Sequence, residues 1–276
     1  MNRQQVLGLT IWCATLATST VADAQDRQTD APGRLMPLES PVSVPKPGSV
    51  KNDAGQVVVF GTAFFYNDAG DMFTNRHVVE KCNPGTIRVR IYSGAWLRAK
   101  IIAESDRYDL AALSTKHHTD VFGAIRVTGD GHVLTPDGIE DIFSAGFSSP
   151  LERHFKVTPT WGQVEPWGNP QKPPYIQRMR MAAYPGASGS AVLDYAGLVV
   201  GVLFAGSVAP AVDPQNLRSI GYGDKWIYLY NTNAVVSFAN ANNLHLSASS
   251  RWQRQDPSFI MGHAAAISGL VMCEYH

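Results

Sequence analysis

The sequence predicts an all-β protein made of short antiparallel strands. From Val57 onwards, runs of β-branched and aromatic residues alternate with turns rich in Gly, Asn, Asp or Pro, a spacing typical of an antiparallel sandwich or barrel. Glycine and proline supply 24 and 17 of the 276 residues, which suits a chain with many turns. The strand-like runs are residues 57–60, 63–66, 87–92, 96–103, 141–147, 175–183, 198–205 and 225–230.

Composition excludes several classes of protein. Hydrophobic residues make up 45% of the chain and charged residues 17%, so there is enough apolar surface for a packed core and the chain is not predicted to be disordered. The 23 basic and 23 acidic residues cancel, which leaves no field to attract nucleic acid. We therefore expect no nucleic-acid partner.

The first 24 residues have the pattern of a signal peptide. Arg3 precedes an apolar stretch over residues 6–17, and Ala22-Asp23-Ala24 has the A-x-A form that signal peptidase accepts. An amphipathic first helix is the alternative, but the charges lie at the two ends rather than along one face. We expect an exported protein, periplasmic or extracellular. Further along, the longest nearly uncharged apolar run, residues 196–206, is too short to span a membrane as a helix, so no transmembrane segment is expected in the mature chain.

The rest of the chain divides into three parts. Residues 25–56 carry five prolines and few large apolar residues, which predicts an extended arm. Residues 57–244 hold the strand pattern and end in a helical pattern over 232–241, with Thr232-Asn233 as its cap. Residues 245–276 form a C-terminal tail, too short for another ordinary domain.

Two cysteines, Cys82 and Cys273, remain after removal of the signal peptide and permit one intramolecular pairing. A structural disulfide and two buried thiols are both consistent with the sequence. No C-x-x-C motif and no Cys/His cluster is present, which argues against a metal site or a thiol nucleophile. No phosphate-binding loop is present either, so we expect no cofactor.

A serine between glycines is the first candidate for catalysis. The segment Gly186-Ala187-Ser188-Gly189-Ser190 directly precedes an apolar strand. A serine hydroxyl is a poor nucleophile unless a base accepts its proton and backbone N–H groups stabilise the oxyanion that forms. The N–H groups of Gly186 and Ser188 would be those donors. Taken alone, such a segment is more often only a turn.

A histidine and an aspartate complete the candidate set. His77 lies at the end of a predicted strand, in Thr74-Asn75-Arg76-His77-Val78-Val79, and an imidazole there can accept and return a proton near neutral pH. Asp109 directly precedes the apolar run 110–113, so its carboxylate is expected to be half-buried and to need a partner. An imidazole N–H is a suitable partner, and the carboxylate then fixes the orientation of the ring.

Together these segments resemble the trypsin-like, chymotrypsin-fold serine peptidases, especially their bacterial HtrA-type and glutamyl-endopeptidase-like branches. The segments at 61–64 and 74–79 are similar to the HtrA pattern G-x-x-F…T-N-x-H-V-V, and 109–113 to D-L-A-x-L. Residues 186–190 resemble G-N-S-G-G and, more nearly, the G-x-S-G-S of the glutamyl endopeptidases. The resemblance covers about residues 57–243. A C-terminal peptide-binding domain usually follows in HtrA-type proteases, and we do not expect one in the 32-residue tail.

The resemblance implies two six-stranded antiparallel β-barrels, over about 57–130 and 131–230, and a short C-terminal helix. It implies an endopeptidase in which His77, Asp109 and Ser188 form a catalytic triad that acts on polypeptide substrates. It also places the specificity pocket at Ala182, Ala183, Leu203 and Phe204. Since Ala182 occupies the place where trypsin-type enzymes carry an acid, we expect cleavage after small or medium apolar residues.

Two other readings remain open. A non-catalytic binding or scaffold protein on the same fold would usually have lost one triad residue. An esterase of the α/β-hydrolase class also presents a serine between glycines, but it needs the chain order Ser, Asp, His and helical crossovers between strands. The natural substrate and the oligomeric state do not follow from the sequence.

Overall fold

The computed structural model describes residues 48–51, 57–127, 140–164, 174–206 and 226–275. The predicted signal peptide, residues 1–24, and most of the predicted arm, residues 25–56, lie outside these ranges. The strands are β1 Gly48–Lys51, β2 Val57–Phe65, β3 Asp71–Thr74, β4 Arg88–Ile91, β5 Trp96–Arg98, β6 Lys100–Glu104, β7 Ala111–Ser114, β8 Ile125–Arg126, β9 Glu140–Gly146, β10 Thr158–Val164, β11 Ile176–Met181, β12 Ala191–Leu193, β13 Val199–Gly206, β14 Trp226–Asn231, β15 Ala248–Ser249 and β16 Ser268–Tyr275. The helices are α1 Arg76–Val79, α2 Thr232–Ala241 and α3 Pro257–Ile267.

The second sheet forms the closed barrel that the sequence predicts. Its strands follow the order β12-β9-β10-β11-β14-β13, and β12 also pairs with β13, which closes a ring of six. Its interior is apolar, with Ile142, Met179, Val192 and Leu229 each fully buried. Alternating inward side chains fill a barrel of this size, so it is a packed core rather than a channel.

The first sheet differs from the predicted six-stranded barrel. Its strands follow the order β5-β4-β16-β2-β3-β7-β6, with β1 paired to the start of β2. In the described ranges no pairing joins β5 to β6, so this sheet is a half-barrel of eight strands. Its nine-residue strand β2 is central, pairing with β1 and β3 on one side and β16 on the other.

The helix predicted over residues 232–241 is confirmed as α2. Its cap is Asn231 rather than the predicted Thr232-Asn233: the Asn231 side chain accepts a hydrogen bond from the Ala234 N–H, and Thr232 is already the first residue of the helix. Val235 and Phe238 lie one turn apart on the buried face. They join the core cluster in which Phe64, Phe73 and Tyr66 also pack.

The predicted tail, residues 245–276, contributes a helix and two strands, β15 and β16, to the fold. Strand β16 pairs with β2 over residues 268–275 and with β4 over 269–272. Helix α3 runs directly into this strand, and the Ser268 hydroxyl closes the helix by donating to the Ala264 carbonyl at 2.7 Å. Ser268 and Gly269 at the junction are turn-type residues, but here they form the first pairs of the strand with Phe64 and Ala63.

Cys82 and Cys273 meet beside the first sheet. Cys82 follows α1, Cys273 lies on β16, and the structure joins them in a disulfide with their Cα atoms 5.6 Å apart. Of the two readings left open by the sequence, the structure supports the disulfide. Since the two residues are 191 positions apart, the bond closes most of the folded chain into one loop.

A buried ion pair links the second barrel to the C-terminal segment. Arg126 and Asp194 are among the most buried side chains, at 1% and 2% exposure, and the Arg126 Nε donates to the Asp194 carboxylate. Asp194 also accepts the backbone N–H groups of Ala196 and Leu198, at 2.8 and 3.0 Å. Arg126 also donates through Nη1 to the Arg251 carbonyl at 2.7 Å, whereas its buried Nη2 has no hydrogen-bond partner within the described ranges.

Within the part of the chain that the structure describes, none of the helices is long and apolar enough to cross a membrane.

Candidate active site

The structure brings His77 and Asp109 into direct contact. The His77 Nδ1 lies 2.5 Å from the Asp109 Oδ2, and the His77 backbone N–H donates to the Oδ1 at 2.8 Å. The two side chains are mostly buried, at 11% and 18% exposure. Because a carboxylate only accepts hydrogen bonds, it holds the ring proton on Nδ1 and leaves Nε2 as the proton acceptor.

The Nε2 of His77 is available for that role. In the described ranges this atom is buried and has no hydrogen-bond partner. A buried polar atom without a partner is costly, and a catalytic role is one explanation for it. The Ser188 hydroxyl, its partner in the predicted triad, makes no hydrogen bond to it in this structure. The geometry around His77 therefore fits a general base.

Two further residues hold Asp109 in place, and the sequence analysis assigned a role to neither. The Asn75 Nδ2 donates to the Asp109 backbone carbonyl at 2.8 Å. Tyr230 also interacts with Asp109: burial raises the pKa of Tyr230 to about 12, a hydrogen bond from the Asp109 backbone lowers it in part, and the Asp109 charge adds to the rise. The T-N-x-H pattern is the only signal in the sequence that points to Asn75.

The serine turn, residues 185–188, lies between the two sheets. Ser188 is 5% exposed, and its carbonyl accepts the N–H of Thr62, on β2, at 2.8 Å. The next residue, Gly189, donates its N–H to the Leu203 carbonyl on β13 at 2.8 Å. The turn is thus bonded to a strand of each sheet.

Strand β2 also contacts the helix that carries His77. A side chain at Gly61 would place its Cβ 2.4 Å from a methyl group of Val78, which follows His77 directly. Only glycine allows this approach. Gly61 therefore contacts α1, and Thr62, the next residue of β2, contacts the turn of Ser188.

The predicted oxyanion donors have the backbone that this role needs. Gly186 adopts φ +95°, a conformation that favours glycine, and a Cβ there would lie 2.4 Å from the Phe147 carbonyl. The Ala187 N–H between them donates to the Tyr184 carbonyl at 3.0 Å. No hydrogen bond from the N–H of Gly186 or Ser188 is made within the described ranges, so both remain available to an oxyanion.

The four residues predicted for the specificity pocket do not share one environment. Ala183 packs at half-burial against the cluster that holds Leu203 and Ala187, beside the serine turn. Ala182 is also half-buried and directly follows β11. Phe204 differs, since its ring stacks on Tyr230 with the centroids 4.2 Å apart, in a different core cluster. Because successive side chains of a strand point to opposite faces, Leu203 and Phe204 pack in different clusters.

Among the residues with described positions, no group of three His, Cys, Asp or Glu side chains has the arrangement of a metal site.

The closed barrel, the half-barrel and the terminal helix define a chymotrypsin-like fold. The family model for the trypsin-like peptidase domain matches residues 61–202, about half of the chain. The chain belongs to this family.

Solved structures show the same likeness. An HtrA-type protease, AlgW with a decapeptide, matches with 20% identity and a TM-score of 0.50, over 66% of this chain and 51% of its own. The serine endoprotease from Yersinia pestis matches with 17% identity and a TM-score of 0.49, over 71% and 60%. The inactive form of Rv3671c protease matches with 17% identity and a TM-score of 0.48, over 67% and 87%.

At 20% identity, the likeness to AlgW shows the fold alone. The chain spans about half the length of the first of these structures. No curated protein sequence matches the chain.

Proposed function

We propose that the protein is an exported serine endopeptidase that hydrolyses peptide bonds through His77, Asp109 and Ser188. The observation that carries the proposal is the His77–Asp109 pair, with the ring proton held at Nδ1 and a buried, unpartnered Nε2. Membership of the trypsin-like peptidase family supports it.

The reaction follows from the roles of these atoms. The Ser188 hydroxyl attacks the substrate carbonyl carbon, and His77 Nε2 takes the hydroxyl proton. The N–H groups of Gly186 and Ser188 stabilise the oxyanion that results. When the tetrahedral intermediate collapses, His77 returns the proton to the leaving amine, and an acyl-enzyme remains. Water activated by His77 then attacks the acyl-enzyme, which releases the second product and frees Ser188.

The pocket residues support cleavage after small or medium apolar residues. Ala182, six residues before Ser188, brings no charge for a basic side chain, and Ala183 packs in an apolar cluster. Digestion of a defined peptide library would reveal the preference. Cleavage after Arg at an equal or higher rate than after apolar residues would contradict it.

Export is supported by the signal-like first 24 residues and by the disulfide, which persists in oxidising compartments. We expect the mature protein from its native host to begin at residue 25, as N-terminal sequencing would show. An unprocessed Met1 in the active protein would contradict this part of the proposal.

The activity is tested with a fluorophosphonate probe and the Ser188→Ala variant. The wild-type protein should gain the mass of the probe on Ser188, and Ser188→Ala should lose both the label and roughly 10⁴-fold or more of the peptidase rate. Ser144→Ala is the matched control, because it removes another buried hydroxyl, bonded to the Ala191 carbonyl at 2.6 Å; it should keep the label.

The outcomes also separate the other readings. A scaffold protein would not be labelled, and an esterase would be labelled but would leave peptides intact. Either result would overturn the proposed peptidase function.

A further inference from the structure

Thr62 of β2 contacts the serine turn, residues 185–188, at two carbonyls. Its hydroxyl donates to the Gly186 carbonyl at 2.7 Å, and its backbone N–H donates to the Ser188 carbonyl at 2.8 Å. The same hydroxyl accepts the Phe147 N–H at 3.0 Å. Thr62 is fully buried, so water does not replace these bonds.

The other two carbonyls of the turn are held from within the second sheet and its loops. The Pro185 carbonyl accepts the Ser149 N–H at 2.8 Å. The Ala187 carbonyl accepts the N–H of Ser190 at 3.0 Å and its hydroxyl at 2.6 Å. All four carbonyls of the turn are therefore hydrogen-bonded.

These bonds set the direction of the predicted oxyanion donors. In a planar trans peptide the C=O and the following N–H point in opposite directions. Holding the Pro185 carbonyl therefore aims the Gly186 N–H away from Ser149, and holding the Ala187 carbonyl aims the Ser188 N–H away from Ser190. Both donors are left without a partner in the described ranges.

The peptide between the two donors, Gly186–Ala187, is held by Thr62 at its carbonyl and by the Tyr184 carbonyl at its N–H. Gly186 can rotate more freely than any other residue type, so this peptide needs an external restraint. The Thr62 hydroxyl supplies that restraint from the sheet that also carries His77.

We propose that Thr62 is a positioning residue that fixes the two oxyanion donors relative to His77. This inference rests on the proposed peptidase function. Thr62 itself does not touch the substrate; it acts on Gly186 and Ser188. The tight packing around it fits this role, since a Cβ at Gly189 would lie 2.0 Å from the Thr62 carbonyl oxygen.

The test is the isosteric variant Thr62→Val, assayed on a peptide that the wild type cleaves. Loss of one oxyanion-hole donor costs about 10²–10³-fold in kcat. Misaligned donors would still stabilise the oxyanion in part, so we expect a smaller loss of kcat, roughly 10- to 100-fold. KM should change less than about twofold, because the ground-state carbonyl makes little use of these donors. A peptide aldehyde forms a hemiacetal with Ser188, and the hemiacetal oxygen binds the donors. Its inhibition constant should therefore rise by about the same factor as kcat falls.

Two variants separate positioning from simple loss of stability. Thr62→Ser keeps the hydroxyl and should restore most of the rate. Thr115→Val is the matched control: the Thr115 hydroxyl also donates to a carbonyl, that of Gly70 at 2.8 Å, and accepts an N–H, that of His117 at 3.2 Å, but outside the site. It should keep kcat and aldehyde binding.

Wild-type kcat and aldehyde binding in a folded Thr62→Val variant would overturn the positioning role while leaving the peptidase function intact. If Thr62→Val does not fold, Thr62→Ala below its melting temperature is judged by the same criterion. A wild-type protein that neither reacts with fluorophosphonate nor cleaves peptides would overturn the peptidase function and this inference together.

Discussion

At the scale of single residues, Asp109 determines which nitrogen of His77 carries the proton. One carboxylate oxygen accepts the His77 backbone N–H, and the other faces Nδ1. An aspartate can accept both of these hydrogen bonds because both of its carboxylate oxygens are acceptors. An asparagine in this place would have one acceptor and one donor.

We therefore expect Asp109→Asn to lower kcat by about 10⁴-fold without unfolding the protein. Its oxygen would keep the backbone N–H of His77, which directs the amide NH₂ at Nδ1 and moves the ring proton to Nε2, where it blocks proton transfer from Ser188. Steady-state kinetics on a cleaved peptide would measure the loss.

Asp106→Asn is the matched control for this change. The Asp106 side chain is 96% exposed and pairs with Arg76, so we expect less than about 1 kcal/mol of lost stability. Its rate should stay close to that of the wild type. An Asp109→Asn variant that keeps more than a tenth of the rate would contradict the assigned tautomer.

At the scale of elements, β2 and β16 organise the first sheet. Strand β2 presents Gly61 to the helix of His77 and Thr62 to the serine turn. Strand β16 lies between β2 and β4, and the Cys82–Cys273 bond joins it to the chain just after α1. The last residues of the chain thus support the segment that carries His77.

We expect the double variant Cys82→Ala/Cys273→Ala to lose roughly 2–5 kcal/mol of unfolding free energy. The reason is the length of the loop, since the bond spans 191 residues and the entropy lost by the unfolded chain grows with loop length. Urea unfolding of the variant, the wild type and the reduced wild type would measure the change.

The reduced wild type should resemble the double variant, and the oxidised wild type should gain no mass from a thiol-alkylating reagent at Cys82 or Cys273. Equal stability of the oxidised wild type and the variant would contradict the structural role of this bond.

At the scale of the whole molecule, the Arg126–Asp194 pair connects parts of the chain that are distant in sequence. It lies between β8, the turn after β12 and the segment before α3. The guanidinium also stacks over the Trp252 ring at 4.3 Å. A buried pair of this kind is sensitive to loss of one partner, because the other charge is then left without compensation in the interior.

We expect Arg126→Met to cost about 3–5 kcal/mol of unfolding free energy. Arg126→Met/Asp194→Asn should recover part of that loss, because the amide carries no charge and its oxygen can still accept the N–H groups of Ala196 and Leu198. Urea unfolding of both variants would give the coupling energy.

The exposed pair Arg76–Asp106 provides the control, and Arg76→Gln should cost under about 1 kcal/mol. If Arg126→Met loses no more unfolding free energy than Arg76→Gln, the proposed role of the buried pair is contradicted.

The sequence by itself determined the β class and the helix over 232–241, because strand patterns and helical periodicity are local signals. It named His77 and Asp109 as candidates, and their contact follows from the folded chain. It did not reveal β16, because the strand continues directly from helix α3 and the turn-type residues Ser268 and Gly269 are themselves part of the strand. It also missed Thr62 and Asn75, whose roles depend on carbonyls 124 and 34 positions away.

Only the tertiary structure decided how the first sheet is arranged, that Cys82 meets Cys273 and that β2 contacts both the His77 helix and the Ser188 turn. These features arise from strand pairing and backbone hydrogen bonds between distant segments. Such bonds depend on where the chain returns in space, and the residue types along a segment do not encode its distant partner.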